Sequence, residues 1–274
     1  MTTRLSYSHH KQWPLFALAA ACWPAIGFLP GMLLRMMADI KLPLAVNAGI
    51  AILIGILGAG FIFPRVYKIP FGAASPRDFL ANIGLGQPKP IFAQLTLGIL
   101  ISVLLLGAML VASLLTGRYS FDPTTINWGS TMRALNAGIF EEIFFRGILT
   151  IILLHELRSL PKAILAQSLI FGLLHIKVLD GWGLFDAGYT VVLALFYGLL
   201  AIKSGNLWLG IIVHVIYDTF LFAVQTPGGL YNGLAENALF FGSLTAGLAL
   251  ASGLVCLVCQ KLCPISPSGV FQRQ

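Results

Sequence analysis

Apolar residues gather into eight runs along the chain, at about 13–37, 44–64, 91–115, 131–155, 162–176, 187–202, 207–224 and 238–260. Most reach the ~17–25 residues that a helix needs to cross the hydrocarbon layer of a bilayer. The run at 162–176 is short, which predicts a helix shielded by protein rather than by lipid. The linkers carry turn chemistry, as in Pro70-Phe71-Gly72, Pro88-Lys89-Pro90 and Pro227-Gly228-Gly229. There is no internal repeat and no low-complexity tail. The pattern predicts an all-α polytopic membrane protein of about eight transmembrane helices.

Composition agrees. Only 10% of the 274 residues are charged, 58% are hydrophobic and the mean hydropathy is +0.88, whereas a soluble domain carries about 25% charged residues. The net charge of +7 therefore points to cationic loops rather than to nucleic acid. With the N-terminus inside, eleven of the seventeen lysines and arginines fall on inner segments and three on outer loops. That bias predicts both termini on the cytoplasmic side. The first apolar run is long and lacks a small-residue cleavage site after a short apolar core, so no removable signal peptide is expected. Short loops and the lack of targeting signals suggest a bacterial cytoplasmic membrane. Of the four cysteines, Cys256, Cys259 and Cys263 form C-x2-C-x3-C at the end of the last run, and Cys22 stands alone. These read as small residues on helices, with no disulfide framework.

Against this background a few ionisable groups stand out. Glu141, Glu142 and Arg146 lie in the fourth run, His175 ends the fifth, and His214 and Asp218 lie in the seventh. Ionisable groups at membrane depth are costly and mark functional sites by default. At 1.5 Å per residue, Glu141 lies ~15 Å from the outer face. The same rise puts His214 ~10 Å, Asp218 ~16 Å and His175 ~20 Å from the inner face. In a core of ~30 Å all four fall near the middle, as one shared buried site requires.

Spacing divides the two glutamates. Glu142 and Arg146 are i,i+4 and share a helix face, so each neutralises the other. That leaves Glu141 as the carboxylate without a local cation. His214 and Asp218 are also i,i+4, and a carboxylate beside an imidazole orients it and raises its basicity. Two chemistries suit such a set. In one, Glu141 is a general base with His175 beside it, and His214 with Asp218 stabilises an oxyanion. In the other, Glu141, His175, His214 and Asp218 supply ligands to a divalent metal, most plausibly zinc, with an open position for water. No H-E-x-x-H occurs, and Ser168, Ser204 and the cysteines lack the setting of a nucleophile.

Three motifs in order, Glu141-Glu142…Arg146, Phe171…His175 and His214…Asp218, resemble the E-E-x-x-x-R, F-x-x-x-H and H-x-x-x-N/D pattern of the CAAX-protease and bacteriocin-processing (CPBP or Abi) family of intramembrane proteases. The run Gly205-Asn206-Leu207-Trp208 is similar to the family's approach to its third motif. The likeness covers about residues 128–224 and divides the chain into N-terminal transmembrane helices (1–130), a catalytic core (131–224) and a C-terminal helix and tail (225–274). It implies an endopeptidase in which Glu141 activates water, His175 assists, His214 and Asp218 form the oxyanion site, and Glu142 and Arg146 support them. It implies a peptide or protein substrate, prenylated in the CAAX-cleaving relatives, and leaves metal-dependent and glutamate-type mechanisms both open. Where many relatives have asparagine, this chain has Asp218. An ionised aspartate cannot donate to an oxyanion, so Asp218 must be protonated, orient His214 or ligate a metal. The competing reading is a non-catalytic membrane immunity or scaffold protein that uses the same polar cluster structurally.

Overall fold

The computed structural model describes residues 80–86, 91–117, 120–122, 126–176, 181–221, 224–225 and 234–262, with Val46, Leu53, Arg77 and Thr124 as single positions. The apolar runs at 13–37 and 44–64, and with them the full span count and the side of the N-terminus, lie outside the described residues apart from Val46 and Leu53. The remaining runs all form helices: α1 (Ile91–Thr116), α2 (Trp128–Glu141), α3 (Thr150–Leu157), α4 (Leu160–Leu174), α5 (Gly181–Ser204), α6 (Trp208–Leu221) and α7 (Leu234–Leu262). The non-helical pairing among the described residues is one two-residue antiparallel contact, β1 (Ser120–Phe121) with β2 (Val224–Gln225). Stretches within α1, α5 and α7 are long and apolar enough to cross a membrane, while α4 and α6 are shorter apolar helices.

The run at 131–155 is not one regular α-helix. Between α2 and α3 the backbone winds as a π-helix over Glu142–Leu149, and the Thr150 hydroxyl donates five residues back to the Phe145 carbonyl. Wide turns of this kind are rare and favour functional sites. A second wide turn, Ala81–Leu85, carries Gly84 at φ +94°. The Gly84 carbonyl accepts from the Leu207 amide at 2.8 Å, and the Trp208 indole donates to the Gly86 carbonyl at 2.9 Å. This turn thus braces the start of α6.

Two apolar clusters hold the helices. One joins the π-helical segment and α3 to α4, through Phe144, Ile148, Ile152 and Phe171. The other joins α1, α5, α6 and α7, through Ile101, Tyr197, Val213 and Leu248. Large apolar side chains also cover the outside of α1, including Phe92, Val103 and Leu114. An exposed apolar surface of that extent suits contact with lipid.

Lipid tails are as apolar as leucine, so close helix contact depends on small residues at the crossings. At the α4–α5 crossing a Cβ built on Gly172 would lie 2.9 Å from the Ala187 carbonyl oxygen. Gly188, one residue along α5, faces open space. Gly172→Ala is therefore expected to cost about 1–3 kcal/mol by overpacking. Gly188→Ala is expected to be neutral or stabilising by up to about 1 kcal/mol. Thermal unfolding of the two purified variants in one detergent checks the contrast; equal shifts would contradict the tight crossing.

Candidate active site

The three motifs meet where α2 and its π-helical continuation face α6. Glu141 ends α2 and Glu142 opens the π-helical segment. α6 is started by Asn206, whose side-chain oxygen accepts from the Trp208 amide at 2.9 Å. Just before it, Gly205 follows the last residue of α5 at φ +69°, a conformation glycine adopts at little cost. These caps fix where α6 begins and so the depth at which His214 projects.

His214 is the hub. Its Nδ1 lies 2.9 Å from Glu142 Oε1, and a carboxylate only accepts, so Nδ1–H donates. On the opposite edge, Nε2 lies 3.7 Å from Glu141 Oε2 and 3.6 Å from Asp218 Oδ2. The two neighbouring glutamates therefore take opposite edges of one imidazole. They also differ in environment: the Glu142 side chain is fully buried, whereas that of Glu141 is 22% exposed. Glu141 is thus the glutamate of the pair that keeps an open face.

Glu142 Oε1 also pairs with Arg146 Nη1 at 3.1 Å, so the i,i+4 spacing closes an ion pair despite the π-helical winding. Its other oxygen, Oε2, is buried without a hydrogen-bond partner. A Cβ on Gly210 would lie 3.0 Å from that oxygen, so glycine in α6 makes room for the carboxylate. The Arg146 nitrogens make no hydrogen bonds. Besides the Glu142 carboxylate, aromatic faces meet the guanidinium, whose Cζ lies 4.5 Å from the centroid of the Phe171 ring and 5.2 Å from that of Tyr197. Both are within cation–π range.

His175 caps the C-terminus of α4. Its Nδ1–H donates to the Phe171 carbonyl at 2.7 Å, and its ring lies 4.4 Å from the Phe171 ring. That hydrogen bond leaves Nε2 as the edge available for chemistry. Phe171 thus links His175 to Arg146, and the F-x-x-x-H spacing serves both a ring contact and a backbone bond.

Tyr197 on α5 is a member of the cluster that spacing did not single out. It is fully buried and stacks on His214, with centroids 4.7 Å apart and planes 12° from parallel. In sequence it is one more aromatic residue in an apolar helix.

The metal reading needs three or more converging ligands. Among the described residues no group of His, Cys, Asp and Glu is arranged to hold a metal ion. His214 Nδ1 is already committed to Glu142. Cys256 is a free thiol on α7. Cys22, Cys263 and the Cys259 side chain lie outside the described residues.

No curated protein matches the chain, and no solved structure does. One family model does match, over residues 123–220, and this stretch contains Glu141, Glu142, Arg146, His175, His214 and Asp218. By that match the chain carries a domain of the CPBP family, described as Type II CAAX prenyl endopeptidase Rce1-like.

Proposed function

We propose that the protein is an intramembrane endopeptidase that hydrolyses a peptide bond with a water activated by Glu141 and His175. The observation that carries this reading is the division of labour around His214. The buried Glu142 is taken up by Arg146 and by Nδ1, while the partly exposed Glu141 faces Nε2. A general base must be reachable by the water it deprotonates.

In this reading Glu141 accepts the proton from water as the oxygen attacks the scissile carbonyl. His175, with Nδ1–H held by Phe171, uses Nε2 to orient the same water. His214 presents an Nε2–H to the oxyanion that forms, and charge stabilisation at that point is commonly the largest single contribution to catalysis. Asp218, 3.6 Å from the same nitrogen, holds the imidazole in its donating form rather than donating itself. The proton on Glu141 then passes to the leaving amine. The substrate we propose is a peptide with a prenylated CAAX end, reached from the bilayer. The chain would span the bacterial cytoplasmic membrane about eight times, with both termini cytoplasmic and the site near mid-bilayer.

The test is reconstitution in liposomes with a farnesylated CAAX reporter peptide. Wild-type protein is expected to release the terminal tripeptide. His175→Ala is expected to lower turnover by about 10²-fold or more, the usual loss for a positioned acid–base group. An intact reporter with the wild type, or undiminished turnover in His175→Ala, would overturn the assignment and favour a scaffold role for the polar cluster.

A further inference from the structure

The geometry points to Tyr197 as the positioning residue that sets the ring plane of His214. A single hydrogen bond from Nδ1 to Glu142 Oε1, at 2.9 Å, fixes where one ring edge points. It leaves the plane free to tilt about that bond. Tilting would swing Nε2 away from Glu141 and Asp218, now 3.7 and 3.6 Å distant. The stacked Tyr197 ring, its centroid 4.7 Å away and its plane 12° from parallel, removes that freedom.

Tyr197 is itself held in place. Arg146 Cζ lies 5.2 Å from its ring centroid, and Arg146 Nη1 pairs with the same Glu142 oxygen that receives His214. Glu142, Arg146, Tyr197 and His214 therefore form a closed circuit of contacts contributed by the π-helical segment, α5 and α6. From Arg146 the contacts continue through Phe171 at 4.5 Å to His175 at 4.4 Å. The orientation of both histidines is thus referred to one guanidinium. The Tyr197 hydroxyl is buried and makes no hydrogen bond. It is the ring, then, and not the hydroxyl, that does the positioning, and phenylalanine should replace tyrosine where an aliphatic residue cannot.

The inference deepens the proposed hydrolytic reading, so its test has an arm that needs no catalysis. Full-length protein with labelled histidine is examined by NMR in detergent micelles, with His214 assigned through His214→Gln. In the wild type the carbon-bound ring protons of His214 are expected upfield of free histidine, shifted by the Tyr197 ring current. Tyr197→Phe should keep that displacement and Tyr197→Leu should abolish it. Ring protons at free-histidine positions in the wild type would overturn the inference without any variant, which covers the case of a Tyr197→Leu protein that does not fold. So would an equal loss in Tyr197→Phe and Tyr197→Leu.

The second arm reads cleavage of the farnesylated reporter. Tyr197→Leu is expected to lower kcat by about 10- to 100-fold with little change in KM, as for a displaced reacting group. Tyr197→Phe should recover most of that loss. A defect confined to KM, or no recovery by phenylalanine, contradicts the positioning role. If the wild type cleaves nothing, the hydrolytic reading fails while the ring shifts still decide what Tyr197 does.

Discussion

Glu141→Gln is expected to lower the turnover of a CAAX reporter by about 10²–10⁴-fold, the share that general-base catalysis usually supplies. That corresponds to about 3–5 kcal/mol of transition-state stabilisation. The substitution keeps the size and shape of the side chain and removes its negative charge and with it the ability to take a proton. It should do so without unfolding the protein, because the Glu141 side chain is partly exposed and does not share the Arg146 ion pair. Single-turnover kinetics on liposome-reconstituted protein, read beside thermal unfolding in detergent, separates the two effects. Wild-type turnover in Glu141→Gln would remove Glu141 from the mechanism. A fall in melting temperature as large as that of a core variant would make it a structural residue.

The contrast between the adjacent glutamates shows what could be read from the residues in order. Helical spacing pairs Glu142 with Arg146, and the structure holds them at 3.1 Å. The six described apolar runs are helices close to the limits that hydropathy suggested, with α5 beginning earlier, at Gly181, and α7 earlier, at Leu234. Other features were not legible, and the reasons are physical. The π-helical winding over Glu142–Leu149 follows from tertiary contacts; E-I-F-F-R-G-I-L carries no local code that distinguishes it from an α-helix. The bracing turn at Ala81–Leu85 lies in no apolar run, and its hydrogen bonds go to residues more than a hundred positions away. Tyr197 was hidden because an aromatic residue in an apolar helix is indistinguishable from core packing until its neighbour is known to be an imidazole. The double use of Glu142 Oε1 by Arg146 and His214 was hidden for a similar reason. Spacing reports partners one turn away and is silent about a third helix.

Arg146→Met should destabilise the protein more than Gly172→Ala, Glu141→Gln or Tyr197→Leu. Arg146 and Glu142 are both essentially excluded from solvent, and the buried guanidinium makes no hydrogen bonds. Removing it leaves the Glu142 carboxylate with His214 as its remaining partner at hydrogen-bond distance. Breaking a buried pair by deleting one member typically costs about 3–5 kcal/mol, because the other charge stays buried. Phe171 and Tyr197 would also lose the cation between them, worth up to about 2 kcal/mol when desolvated. The double variant Glu142→Gln/Arg146→Met removes both charges at once and is expected to recover much of the stability, since replacing a whole buried pair with neutral residues is often close to neutral. It should not recover activity, because an amide at position 142 holds the His214 ring more weakly than a carboxylate. Reversible unfolding in bicelles for the two single variants and the double variant gives the coupling energy directly. If the double variant is as unstable as Arg146→Met alone, the ion pair is not what secures this part of the fold. If it regains full turnover, Glu142 does not orient His214.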